Sequence, residues 1–178
     1  VCVRHKGISR LVVNTNYIDI LPGDTVFHCS NVSFDLTTIE IWAALLNGGE
    51  LVIVEQGTLL DLELLPKMIA EKNIKLLGVS TSVFNHLTTQ KIDVFADAHT
   101  VIFGAENADA SQLREVLTAN DGAAAPKRLI NIYGPTENTT LATTYLVESV
   151  DSFATSIPIG SPIANSTVYI LDPQERQV

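Results

Sequence analysis

Thr25-Val26-Phe27-His28-Cys29, then Ser30-Asn31-Val32-Ser33, then the run from Asp35 to Asn47 closed by Gly48-Gly49, is the passage that decides the fold. The first segment is β-branched and aromatic and reads as a strand. The last is apolar at helical spacing, and a glycine just past its end supplies a left-handed cap. Leu51-Val52-Ile53-Val54 is the next strand. Leu64, Leu65, Met68 and Ile69 then share one side of a helix whose other side carries Glu63, Lys67 and Glu71, with Pro66 tolerated only in the first turn. Strands at about Ile74 to Leu77, Thr100 to Phe103 and Leu129 to Ile132 follow, separated by helices near Ser82 to Thr88 and Ala110 to Ala119. Such alternation builds parallel sheets through crossover helices. The expected class is therefore α/β, with a parallel, flavodoxin-like sheet and helices on both faces over residues 1–140.

After Thr139 the pattern changes. Leu141 to Val147 and Ser166 to Leu171 are strand-like and are joined by Ile157-Pro158-Ile159-Gly160-Ser161-Pro162. Residues 141–178 are expected to begin a β-barrel or sheet subdomain. Within the first region, the helix from Asp35 is apolar nearly all round, so Trp42 is expected in the core.

The composition narrows the function. Of 178 residues 46% are hydrophobic and 17% charged, a balance that supports a packed core. Eleven Lys and Arg stand against twenty Asp and Glu, for a net charge of −9, with no basic run to track phosphates. That argues against nucleic-acid binding. No apolar run reaches the ~20 residues of a membrane span. Cys2 and Cys29 form neither a zinc signature nor a disulfide framework, which makes a reducing cytoplasm the default location. His5, His28, His86 and His99 are scattered and read as satisfied or solvated side chains.

In open α/β sheets ligands bind beyond the carboxyl ends of the strands, where helix N-termini point inward. Four junctions qualify. Asp35 opens a helix and shares a face with Ile39, and its plain reading is an N-terminal charge worth about 0.3–1 kcal/mol. Gly78-Val79-Ser80 and Gly104-Ala105-Glu106 each follow a strand, where a missing side chain admits a ligand to the backbone or serves the chain's own conformation. Asn131-Ile132-Tyr133-Gly134-Pro135-Thr136-Glu137 crowds an amide, an aromatic face, a hydroxyl and a carboxylate into one turn. Tyr133 suits stacking on a flat base, Thr136 donation to a phosphate oxygen and Glu137 a hard cation.

Phe34-Asp35, Glu40-Ile41-Trp42, Ala44-Leu45-Leu46-Asn47-Gly48-Gly49, Gly104-Ala105-Glu106, Asn131 to Glu137 and Ile157-Pro158-Ile159-Gly160 occur in that order. Together they resemble the amino-acid adenylation domains of nonribosomal peptide synthetases, across essentially the whole chain. The resemblance implies Mg2+-dependent activation of an amino acid by ATP to an aminoacyl-adenylate, with release of pyrophosphate. Transfer to the phosphopantetheine thiol of a peptidyl carrier domain would follow, with condensation domains as further partners, in secondary metabolism. By the same likeness Asp35 would pair with the substrate ammonium, and Phe34 would shape the carboxylate end. Tyr133 would stack on adenine, Asn131 would bond its amine, and the Gly104-Ala105-Glu106 backbone would cover the opposite face, with Ile132 and Gly134 beside the base. Thr136 would contact phosphate and Glu137 would hold Mg2+. The side-chain pocket would be lined by Leu36, Ile39, Gly78, Ile102, Gly104, Ile132, Thr140 and Leu141, of which only Thr140 is polar. An apolar, fairly bulky substrate is expected, with the two glycines leaving it room.

Such domains also carry a phosphate loop, which would fall just before Val1, an Asp for the ribose and a Lys in a small C-terminal domain. Val1 to Gly7 looks like the strand that follows that loop. These residues alone are therefore expected not to turn over. Two rivals remain: an acyl- or aryl-CoA ligase core, which would leave Asp35 buried without a substrate ammonium, and a non-catalytic flavodoxin-like binding module.

Overall fold

The computed structural model describes the backbone of residues 1–178 and every side chain except that of Gln56. The elements in chain order are α1 (His5–Val12), β1 (Thr25–His28), α2 (Leu36–Asn47), β2 (Glu50–Ile53), α3 (Gln56–Leu59), α4 (Leu64–Glu71) and β3 (Ile74–Ser80). They continue with α5 (Thr81–Gln90), β4 (Thr100–Gly104), α6 (Ala110–Thr118), β5 (Arg128–Tyr133), β6 (Thr143–Leu146) and β7 (Ser161–Pro162).

The strands form one sheet in the order β2-β1-β3-β4-β5-β6-β7. The first five are parallel, and β6 and β7 add antiparallel beyond β5. The order 2-1-3-4-5 is the flavodoxin-like one, whose direction of winding reverses between β1 and β3 and opens a crevice there.

Period-two alternation sorts the strand residues between two cores. Phe27, Val79, Val101, Phe103 and Leu129 pack against Leu65 and Ile69 of α4, Phe84 and Leu87 of α5, and Leu113 and Val116 of α6. Phe84 stacks between Phe95 and Phe103, with ring centroids 5.6 and 5.0 Å away. On the opposite face Val26, Leu76, Ile102, Ile130 and Ile132 pack against Leu11 and Val12 of α1 and Ile39, Ala43 and Ala44 of α2. Helices on both faces of a parallel sheet is the architecture expected.

Three expectations are corrected. Residues from His5 form a helix, not a strand, because Leu11 and Val12 at its end are buried on α2 while its start stays in solvent. Trp42 is 37% exposed: α2 turns Ile39, Ala43 and Ala44 inward, which leaves Trp42, Leu45 and Leu46 outward. Ser166 to Leu171 is not a strand, since it meets no partner strand beyond one bridge between Leu171 and Gln177. The strand expected at Leu141 to Val147 is present as β6 and shortened at both ends.

Candidate functional site

A cavity of about 450 Å3 opens at the carboxyl ends of β1, β3, β4 and β5, where the winding reversal places the crevice. Its walls bring together Phe34, Asp35 and Leu36 from the start of α2, Gly78 from β3, Gly104-Ala105 from the end of β4, and Ile132, Gly134, Thr140 and Leu141. Residues separated by a hundred positions meet here because each lies near or beyond the carboxyl end of a parallel strand.

Asp35 is the hinge of this arrangement. It precedes α2 and makes no side-chain cap to its own helix. Instead Oδ2 accepts a hydrogen bond from the Thr136 hydroxyl at 2.7 Å, and the Asp35 carbonyl accepts one from the Thr140 hydroxyl at 3.0 Å. The residues expected to hold the substrate amine and to contact phosphate are thus in direct contact.

Phe34 stands beside Asp35 and is 67% exposed. Tyr133 ends β5 with half its surface open, as a stacking platform requires, and Glu137 lies in the short 3-10 turn Thr136–Asn138, exposed to solvent. Asn131 is buried, and its Nδ2 donates to the Pro158 carbonyl at 2.9 Å, which fixes the amide so that Oδ1 is the end left to accept. Glu106 is exposed beyond Ala105. Among the described residues no three His, Cys, Asp or Glu cluster as a metal site. Mg2+ takes one or two carboxylates and completes its shell with substrate phosphates and water, so a lone exposed Glu137 fits that mode of binding.

Two expected pocket residues lie elsewhere. Ile39 and Ile102 are fully buried beneath the floor, in the core shared with Val26 and Leu76, and present no surface to the cavity. The room attributed to the two glycines is also taken by the protein itself. A Cβ on Gly78 would stand 3.3 Å from Leu36 and Ile102, and one on Gly104 would stand 2.3 Å from the Ile132 carbonyl oxygen. Gly104 is glycine because β4 and β5 approach too closely for anything larger.

Ala105 has φ +82°, a left-handed conformation that favours glycine. Thr81, at the start of α5, donates to the carbonyls of Gly104 (3.1 Å) and Glu106 (3.2 Å) and so holds this strained turn from below.

The sequence reading missed a buried carboxylate under the cleft. Glu40, 1% exposed, meets His28 Nδ1 at 2.7 Å and accepts from the Ser30 hydroxyl at 2.7 Å and the Ser30 amide at 3.3 Å. The Cys29 thiol points to the same carboxylate at 3.7 Å and to the Gly78 carbonyl at 3.3 Å. Burial, reinforced by the Glu40 charge, raises the Cys29 pKa well above that of a free thiol. Glu40 thereby fixes the loop from β1 that leads into Phe34 and Asp35. Its signals in the sequence are an acid at a position where α2 is otherwise apolar and its place in the Glu40-Ile41-Trp42 motif, neither of which gives it a role.

Comparison with known proteins identifies the family. The family model described as AMP-binding enzyme matches residues 1–178. The chain is 40% identical over 172 residues to bacitracin synthase 1 of Bacillus licheniformis, covering 97% of this chain and 3% of that protein. It is 36% identical over 172 residues to surfactin synthase subunit 3 of Bacillus subtilis, covering 97% of this chain and 13% of that one. The chain thus spans a small part of the curated relatives it matches. Among solved structures, holo-PA1221, an NRPS protein containing adenylation and PCP domains, superposes with a TM-score of 0.87 at 32% identity, covering 98% of this chain and 29% of that one. The N-terminal subdomain of Klebsiella oxytoca NpsA superposes with a TM-score of 0.86 at 23% identity, covering 98% of this chain and 43% of that one, and shows the same fold. The chain belongs to the AMP-binding enzyme family, and its likeness to the adenylation domains of nonribosomal peptide synthetases runs along its whole length.

Proposed function

We propose that this chain is the substrate-selecting part of a domain that joins an amino acid to AMP, using ATP and Mg2+ and releasing pyrophosphate, and that hands the acyl group to the phosphopantetheine thiol of a carrier domain. The observation that carries this reading is the Asp35 to Thr136 contact at the mouth of an apolar cavity. It sets a carboxylate able to pair with an ammonium next to a hydroxyl that can turn to a phosphate oxygen once the ammonium takes its place on Asp35. An amino acid seated with its ammonium on Asp35 and its side chain against Leu36, Ile132 and Leu141 would direct its carboxylate toward Thr136 and Phe34. Tyr133 would stack on adenine and Asn131 Oδ1 would accept from its exocyclic amine. Mg2+, held by Glu137 together with the phosphates, would neutralise charge on the departing pyrophosphate. The chain's own contribution is positioning and charge complementarity at the reacting carboxylate and phosphorus.

The lining favours an apolar side chain, because a charged one would find no countercharge among Leu36, Gly78, Gly104, Ile132 and Leu141. Preference for a fairly bulky side chain rests on the cavity volume rather than on the glycines. In this reading residues 1–140 form the α/β subdomain and 141–178 lead into a β subdomain of the complete domain, a cytoplasmic synthetase with condensation domains beside it. The chain matches 29% of the adenylation and PCP protein it superposes on, and in this reading the 178 residues alone would not turn over.

The test is ATP binding by the complete domain. Tyr133→Ala and Glu137→Ala should each weaken it. Unchanged binding in both variants would remove the nucleotide from this cleft and favour the non-catalytic module.

A further inference from the structure

The turn that carries Thr140 and Leu141 is held in an uncommon conformation. Thr139 and Thr140 have φ of +55° and +67°, a region β-branched residues rarely enter. Strain of this kind persists only where the surroundings over-determine it. The surroundings here are largely one side chain on a distant element. Arg10 of α1 donates through Nη2 to the carbonyl oxygens of Asn138 (2.7 Å) and Leu141 (3.0 Å), with a longer contact to Thr139 (3.4 Å), and through Nη1 to the Ser166 hydroxyl. A planar, permanently charged fork can gather several carbonyls at once, whereas an ammonium is a point charge without that geometry.

The turn is gripped on its other side too. The Thr140 hydroxyl donates to the Asp35 carbonyl, while within the turn the Leu141 amide donates to the Thr139 carbonyl at 2.8 Å. Helix α1 packs directly against it: a Cβ on Gly7 would stand 2.4 Å from the Thr139 hydroxyl. The pocket wall made by Thr140 and Leu141 is therefore pinned between Asp35 in front and Arg10 behind. Arg10 does not line the cavity.

We propose that Arg10 is a positioning residue for amino-acid activation: it locks residues 138–141 in the strained form that sets Thr140 and Leu141 against the substrate and keeps Thr136 facing Asp35. The proposal rests on the reading of the cleft given above. Loss of Arg10 lets the two threonines relax toward ordinary backbone angles, and the wall moves away from Asp35.

The complete adenylation domain carrying Arg10→Lys or Arg10→Ala tests this by hydrogen exchange and by steady-state kinetics. Amide exchange across residues 135–142 should speed up by about tenfold or more while β3 and β4 keep their rates, the loss expected when hydrogen bonds to a charged group are removed. The KM for the amino acid should rise by a similar factor, and added ethylguanidinium, but not ethylammonium, should lower it again in Arg10→Ala. Unaltered exchange across 135–142 in both variants overturns the proposal, with or without turnover. So does faster exchange throughout the sheet with no guanidinium rescue, which would give Arg10 a general role in stability. Should Arg10→Ala fail to fold, Arg10→Lys carries the exchange and KM readouts. Absence of amino-acid-dependent turnover in the unsubstituted domain would defeat the functional reading instead, and hydrogen exchange would still decide Arg10.

Discussion

Adjacent substitutions at the end of β4 should change stability in opposite directions. Ala105 sits at φ +82°, where an alanine side chain costs roughly 1–2 kcal/mol. Ala105→Gly removes that cost and returns about 0.4–1 kcal/mol of it through the greater freedom of glycine in the unfolded chain. The net expectation is a gain of about 0–1.6 kcal/mol, centred near 0.8. Gly104→Ala does the reverse. Its new Cβ would stand 2.3 Å from the Ile132 carbonyl oxygen and 2.6 Å from Ile132 Cγ1, against an ordinary contact of 3.4 Å or more, and the obstruction is paired backbone rather than a flexible tip. Restoring contact means moving β5 away by about 1 Å, and overpacking of this kind costs about 1–3 kcal/mol or more. Because Ile132 lines the cavity and Tyr133 follows it, Gly104→Ala should also weaken amino-acid and ATP binding. Thermal unfolding of the complete domain reads both signs, with about 2–4 °C per kcal/mol for a unit of this size. A fall in midpoint for Ala105→Gly, or none for Gly104→Ala, would refute the reasoning.

Other consequences follow from single contacts. Tyr133→Ala should raise the Kd for ATP by about 5–150-fold, the loss of a stacked base worth about 1–3 kcal/mol, with unfolding unaffected because the ring is half exposed. Glu40→Ala leaves the His28 and Ser30 groups of a buried network without their partner and should cost about 1–3 kcal/mol, whereas Glu40→Gln, which keeps the shape, should cost less; equal midpoints for Glu40→Ala and the parent would remove Glu40 from the account. The exposed Cys2 should be alkylated at pH 8 well before the half-buried Cys29, whose raised pKa leaves little thiolate at that pH, and equal labelling rates in the folded protein would contradict that raised pKa.

The strands of the parallel sheet were legible because each is a short β-branched run bounded by turn residues, and period-two burial follows from the pleat. β3 extends to Ser80, beyond the expected Leu77, as far as the serine that caps α5. What misled was information that only packing supplies. Helix α2 is apolar on too many sides for its sequence to say which faces the sheet, and the pattern alone therefore puts Trp42 inward, where the structure has it 37% exposed. Ile39 and Ile102 carry the right chemistry for a pocket, but they lie beneath its floor. Helix α1 opens on polar residues and is defined by what Leu11 and Val12 bury. Around the cleft, motifs announce Asp35, Tyr133 and Glu137, and Glu40 without a role, whereas Arg10, Glu40 and Thr81 act through hydrogen bonds to distant backbone or buried groups that no local spacing encodes.

Amino-acid-dependent ATP–pyrophosphate exchange by the complete domain tests the central claim most directly, run with apolar amino acids, with their α-deamino analogues and with Asp35→Asn. The account predicts exchange with an apolar α-amino acid, none with its deamino analogue, and loss in Asp35→Asn while ATP still binds. Exchange driven equally by the deamino acid, or undiminished in Asp35→Asn, would contradict it.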